Sequence, residues 1–271
     1  MIDTAEPLAR LVGERVLVTG ASGSIGCALV PALFAAGATV VSTDIETMDV
    51  RFAEYAHPII RDVEPDVVFH LAGAKHAPEG ETAPQDAIST NAEGTWNILQ
   101  GCALYAPHAK VILASTCKAC DPETVYGASK LIAERMVLNA GGTVARLFNV
   151  RHTNGNVFRL WESLPAEQPL PVVAECGRYF ISLQEALALF LWAAVLDSGR
   201  YAVDPGKPRY MPEVAAELYP GREQRFIPAR RGDRILEPLH AACETASDVG
   251  HGLLRIVGAH DPARAEERIA A

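Results

Sequence analysis

The chain of 271 residues has no apolar run that approaches the roughly 20 residues of a membrane span. Its longest candidate, Ala186 to Leu196, is too short for that and reads as a buried helix, so no membrane partner is expected. No signal peptide is expected, and the six cysteines, at positions 27, 102, 117, 120, 176 and 243, show no disulfide framework; they read as reduced thiols of a cytoplasmic protein. Basic excess is also lacking. The 24 lysines and arginines against 33 aspartates and glutamates leave a formal charge of −9, which argues against nucleic acid or an anionic membrane as the main partner. Cys117-Lys-Ala-Cys120 fits C-x-x-C, but no further ligands stand at matching spacing, so no metal is expected. Repeats and low-complexity tracts are absent. What remains is the pattern of a soluble enzyme, long enough for one large core with an appended lobe.

The first strong signal is Arg15-Val-Leu-Val-Thr19, a strand of parallel-sheet type, followed at once by Gly20-Ala-Ser-Gly23-Ser-Ile-Gly26 and an apolar helical run from Ala28 to Ala36. Glycines in that order permit a tight turn, close approach of backbone to a pyrophosphate and close helix packing, with the helix N-terminus facing the negative charge. Gly20, Ser22, Gly23, Ser24, Ile25 and Gly26 are therefore the expected cofactor turn. A second strand, Thr39 to Thr43, ends in Asp44, eighteen residues after Gly26. An acidic residue at about that distance binds a ribose 2′-hydroxyl and repels a 2′-phosphate, so NAD is expected over NADP.

Val111 to Lys130 carries the chemistry. A short apolar strand ends at Ser115-Thr116, and Tyr126-Gly-Ala-Ser-Lys130 opens a helix. Residues four apart share a helix face, about 5–6 Å apart at Cβ, so an ammonium can sit under a phenol. A phenol ionises near pH 10 in water, and a neighbouring positive charge favours the phenolate, which makes Tyr126 a candidate base for alcohol oxidation.

Between Asp44 and Arg51 the chain is short and leads almost at once into Phe52 to Val63, so the helix that normally separates the second and third strands is expected to be absent. Pro65 to Gly73 reads as a strand closed by the small-residue turn Leu71-Ala72-Gly73, where a dinucleotide can lie against backbone. His70 reads as a core histidine and His76, beside Lys75, as a pocket-edge residue. A helix with Asn91 and Trp96 near its middle precedes Val111; Gly142 to Phe148 is a further strand, followed by Asn149 and a polar loop to Asn156. Such units imply an α/β fold, a Rossmann-type, right-handed, doubly wound parallel sheet with its ligand at the carboxyl ends of the strands. Residues 1–154 are expected to form the NAD-binding domain and 155–271 a proline-punctuated substrate lobe with some return to the main sheet. That lobe holds Arg178, Arg200, Arg209, Arg222, Arg225, Arg230, Arg231 and Arg234, a few of which can clamp a diphosphate if they converge. Trp161 and Trp192 read as core, and the charged, alanine-rich stretch from Gly258 to Ala271 as a terminal helix.

Thr19 to Gly26, Asp49-Val-Arg51, His70 to His76 and Thr90 to Asn97 resemble the extended short-chain dehydrogenase/reductase superfamily. More narrowly, Ser115 to Pro122, Tyr126 to Lys130, Phe148-Asn-Val150, Arg178-Tyr-Phe-Ile181 and Arg230 to Arg234 resemble the UDP-N-acetylglucosamine 4,6-dehydratases of polysaccharide biosynthesis. The resemblance implies that Tyr126 takes the proton of the sugar 4-hydroxyl while hydride leaves C4 for the nicotinamide. It implies that Lys130 lowers the tyrosine pKa and holds the nicotinamide ribose, and that Lys118 is the base at C5, with Thr116 beside it. Cys117 stands where the family has an acidic residue, nine before the tyrosine, and becomes the candidate proton donor to the departing 6-hydroxyl. Asp49, Val50, Leu71, Ala72, Gly73 and Asn91 join the cofactor set by the same resemblance; Lys75, His76, Thr116, Asn149, Asn156, Arg178 and Arg230 form the substrate set. The implied substrate is a nucleotide sugar, with UDP favoured, and the implied assembly a homodimer or higher homo-oligomer. The N-terminal membrane portion of larger members is not expected here. Epimerisation at C4 or C5, a 4-dehydrogenase or reductase, and a non-catalytic dinucleotide-binding protein are the alternatives.

Overall fold

The computed structural model describes residues 2–153, 155–230 and 232–262. An eight-stranded sheet forms its centre. The first five strands in chain order are β1 (Arg15–Thr19), β2 (Thr39–Thr43), β3 (Val67–His70), β4 (Lys110–Thr116) and β5 (Thr143–Leu147). From one edge the sheet runs β2, β1, β3, β4, β5, Gly199–Val203, Leu253–Gly258 and Glu244–Asp248. Neighbours from β2 to Gly199–Val203 pair in parallel, and the last two strands join antiparallel.

The strands read as near-continuous apolar runs because both faces of the sheet are covered, and successive side chains point to opposite faces. Val16 and Val18 enter one core with Val67, Phe69 and Ile112. Leu17 enters the other with Val68, Val111 and Leu113. The helices Gly26–Ala36 and Leu183–Val195 close the first face through Leu29, Leu33, Leu189 and Phe190. Ala53–Val63, Gly94–Tyr105 and Val125–Asn139 close the second through Ala56, Ile60, Ile98, Ala133 and Val137.

The expected loss of the helix between the second and third strands is corrected by Ala53–Val63, an 11-residue helix despite Pro58. Ala56 and Ile60, four apart and buried, give it a helical seam rather than a strand alternation. Among the described residues no strand lies outside β2, which forms the edge. The helix expected around Asn91 and Trp96 is built as Pro84–Ile88, a π-helical turn Ser89–Glu93 and then Gly94–Tyr105.

A smaller core holds Phe158, Trp161, Leu170, Val172, Met211 and Val214, drawn from the helices Val157–Ser163 and Met211–Leu218 and from Leu170–Val172, which pairs with Gln224–Phe226. Leu253–Gly258 is a strand of the main sheet; the helix expected from Gly258 onward falls mostly on residues 263–271, outside the described residues, as does Arg231. Among the described residues no helix is long and apolar enough to cross a membrane.

Candidate active site

Parallel pairing places the carboxyl ends of β1, β3, β4 and β5 at one edge of the sheet, and two adjoining cavities open there. One, of about 280 Å³, is lined by Gly20, Gly23 to Gly26, Leu71, Thr116, Tyr126 and Phe148. The other, of about 410 Å³, reaches into the smaller core and is lined by Trp161, Cys176, Arg178, Phe180, Arg230 and Asp233. Lys75, His76, Lys118, Asn149, Gly155 and Asn156 line both and form the seam between them.

Local geometry explains how Lys118 and Tyr126 come to face each other. β4 ends in a single 3-10 turn, Cys117–Ala119, and the Thr116 hydroxyl accepts from the Lys118 amide at 3.3 Å. The next helix starts at Val125, with the Thr124 side chain accepting from Gly127 N at 3.0 Å. A Cβ on Gly127 would stand 2.3 Å from the Lys118 carbonyl, so only glycine lets the turn rest on the helix start. Tyr126 is buried, and the Thr116 hydroxyl hydrogen-bonds its phenol.

The charge around the phenol differs from the expected arrangement. Burial pushes the tyrosine above its ordinary value, and the cation that counteracts burial is Lys118 rather than Lys130. Lys130 donates to Ala114 O at 3.1 Å, and burial lowers its pKa to about 8 against the opposing pull of Glu134. Its ammonium points at Gly73: a Cβ there would stand 2.7 Å from Lys130 Nζ and 2.9 Å from Asn91 Oδ1. Asn91 lies in the π-helical turn, donates to Ala74 O and Ser129 Oγ at 3.0 Å each, and leaves its buried Oδ1 without a partner. A π turn inside a helix frequently marks a functional site.

The glycine turn has the packing that its spacing implies. Gly20 has φ +66°, and a Cβ there would meet Ala72 N at 2.6 Å; one on Gly26 would meet Ala21 O at 2.4 Å. Asp44 accepts from Ser22 N at 2.8 Å and from the Ser22 hydroxyl; burial opposes its charge, but these bonds hold it ionised. Asp49 instead turns onto Arg51, with Nη2 2.6 Å from Oδ2, while the buried Val50 offers its carbonyl to Asn97 Nδ2 at 2.9 Å. A dinucleotide fits this construction: a cradle at Gly73 that a methyl would fill, an orphaned acceptor on Asn91 and an ammonium converge on one spot.

Cys117 requires a correction. The thiol is fully buried, is not on either cavity wall, and donates to Glu237 Oε2 at 3.3 Å. Burial first, then the charge of Glu237, pushes it well above the ordinary thiol range, so it is placed neither to ionise nor to reach the cleft. Lys118 does reach the wall, but as an ammonium: Nζ donates to Glu237 Oε1 at 2.5 Å. Burial works against that charge, yet the Glu237 carboxylate, by its charge and its hydrogen bond, outweighs burial and raises the lysine. A protonated amine has no lone pair for abstracting a proton from C5.

Glu237 is the residue that sequence reasoning missed. It lies 120 positions from Cys117 and is fully buried, yet contacts Cys117, Lys118, Asn149 and Arg178. A single glutamate before a proline carries no motif, and nothing short of the fold identifies it. Arg178 and Arg230 both line the larger cavity; Arg230 also pairs with Asp233 at 2.9 Å. Arg200 is elsewhere, in a buried ion network. His70 is a neutral core residue between Thr19 and Thr95, its pKa pushed by burial to about 3. Among the described residues no group of three or more His, Cys, Asp or Glu could hold a metal ion.

The family described as polysaccharide biosynthesis protein matches residues 38–257. The "Probable polysaccharide biosynthesis protein EpsC" of Bacillus subtilis is 30% identical over 80% of this chain and 42% of its own length. The UDP-N-acetylglucosamine 4,6-dehydratase (inverting) of Campylobacter jejuni is 30% identical over 70% of the chain and 60% of its own length. This chain spans about half the length of the curated relatives it matches. Among solved structures, Pen from Bacillus thuringiensis shares the fold with a TM-score of 0.83 at 21% identity, covering 94% of this chain and 92% of that one.

Proposed function

Because the chain belongs to the polysaccharide biosynthesis protein family, we propose that it is an NAD-dependent enzyme that oxidises the sugar of a nucleotide sugar at C4. The favoured substrate is UDP-N-acetylglucosamine or a close relative, which then loses water across C5 and C6 and takes the hydride back at C6, so that the cofactor ends oxidised. The observation that carries this reading is the placement of Tyr126 and Thr116 on the cavity walled by the glycine turn, with Lys118 at the seam where it meets the one walled by Arg178 and Arg230.

A nicotinamide held in the first cavity supplies the acceptor for the hydrogen that leaves C4. Lys130 and Asn91 Oδ1 hold the sugar hydroxyls of the cofactor at the Gly73 cradle, Gly20 to Gly26 take its pyrophosphate, and the Asp44 carboxylate selects NAD over NADP. Tyr126 takes the proton of the 4-hydroxyl, and the Thr116 hydroxyl and Lys118 ammonium favour the phenolate against burial. Arg178 and Arg230 bind the diphosphate of the substrate, with Lys75, His76, Asn149 and Asn156 along the seam. A homodimer belongs to the same proposal: Ile88, Trp96 and Ile132 are exposed apolar side chains on the helices beside the site.

The test is mass spectrometry of UDP-N-acetylglucosamine incubated with the protein and NAD in deuterated water. Loss of one water with deuterium at C5 is the expected result. An isomer of unchanged mass would replace dehydration by epimerisation, and accumulation of NADH would replace it by net dehydrogenation. No change across a panel of nucleotide sugars would overturn the enzymatic reading.

A further inference from the structure

We propose that Glu237 is the positioning residue of this site: it fixes Lys118 as a cation on the cleft wall, so that Lys118 acts by donating hydrogen bonds to a developing negative oxygen and not as a base. Oε1 takes Lys118 Nζ at 2.5 Å and lies 3.4 Å from Arg178 Nε. Oε2 accepts from Asn149 Nδ2 at 2.6 Å and from the Cys117 thiol at 3.3 Å. A carboxylate offers about four lone-pair positions. With four partners and no exposed side-chain surface, this one has nothing left to offer a substrate.

Each partner bears on the seam between the cavities. Lys118 and Asn149 line both, and Arg178 lines the larger. The Lys118 side chain keeps 19% of its surface exposed, so its ammonium can be held from behind and still present N–H groups to the cleft. One buried anion against the two cations Lys118 and Arg178 leaves a net positive charge at the seam, the sign that stabilises an alkoxide, an enolate or a diphosphate. The thiol at Cys117 fits this arrangement because it adds a donor without adding charge. A carboxylate there would stand against Glu237, and two such groups in one site keep one of them protonated. Burial resists the charge on Glu237, but Lys118 and then Arg178 outweigh it and hold the carboxyl below its usual range.

The state of Lys118 is independent of the reaction; its service to a sugar oxygen rests on the function proposed above. The test is pH-dependent acetylation of the protein without cofactor or nucleotide, since only the neutral amine reacts, with Lys118 read by peptide mass spectrometry. In Glu237→Gln the onset of labelling is expected to fall by about 1–3 pH units, the range for removing an opposite charge at contact distance. In Cys117→Asp/Glu237→Gln a carboxylate returns to the same place and the onset moves back up, a recovery that a merely structural role for Glu237 would not produce. Should Glu237→Gln fail to fold by circular dichroism, Glu237→Asp retains the charge one methylene short, and its onset is expected below that of the parent. An onset in Glu237→Gln, or failing that in Glu237→Asp, equal to the parent overturns the proposal. A shifted onset in a protein that turns over no nucleotide sugar leaves the positioning role standing and removes the function.

Discussion

Among the described residues two buried charge clusters stand out, and they do opposite things with the same residue types. Beneath the sheet, Arg146 pairs with Glu134 at 2.6 Å and Glu244 at 2.6 Å, while Arg200 reaches Glu134 at 2.8 Å and Asp261 at 3.0 Å. Arg135, 3.5 Å from Asp261, makes three cations for three anions. Ser115 closes the Glu134 carboxylate at 2.6 Å, and neither cavity is lined by an arginine or glutamate of this cluster. At the cleft, Glu237 faces two cations, the balance is uneven, and Lys118 reaches the wall. A buried ion pair is therefore no marker of a site. Uneven charge with access to a cavity is.

The comparison breaks most sharply at Tyr126. Tyr126→Phe is expected to lower turnover by about 10²- to 10⁴-fold, the worth of a positioned acid or base, with an unchanged unfolding midpoint; equal activity would remove the cleft cluster from the chemistry. Arg146→Met should do the reverse. Removing one partner of a fully buried network costs about 3–5 kcal/mol, measurable by urea denaturation, while turnover per folded molecule stays near the parent. Gly73→Ala places a methyl between Lys130 and Asn91; the overpacking is expected to lower folding stability by about 1–3 kcal/mol, and the filled cradle to weaken NAD binding in calorimetry. The structural cluster also carries an acid effect. Burial opposes the charge on Glu244, but Arg146 outweighs it and lowers the pKa from 4.5 to about 2. A carboxyl whose folded pKa is depressed adds stability that is fully present above its unfolded value and is lost as pH falls toward the folded one. The urea midpoint should therefore drop between about pH 4.5 and 2, and that slope should flatten in Arg146→Met.

How far the site was legible from sequence follows the range of the contacts involved. The glycine turn, Asp44 after β2, and the Thr116, Lys118, Tyr126 and Lys130 group are set by strand-turn-helix spacing within a few residues, and their positions were readable. The direction of two lysines was not: Lys130 and Tyr126 share a helix face in any helix, but burial depth and Ala114 O decide where the ammonium turns. The helix Ala53–Val63 was not legible because the short lead-in after Asp44 was weighed above the spacing of Ala56 and Ile60.

By itself the sequence determined the alternation of apolar strands with helices, the turn that only glycine can make, and the residue types gathered at the ends of β1 and β4, since all of these arise from local periodicity and backbone sterics. Tertiary structure alone decided that Glu237 holds Lys118, that Cys117 lies behind the wall, and that strands near residue 250 complete the main sheet. Those outcomes depend on which distant segments share a buried space, and there burial and charge, not spacing, set the protonation of each group.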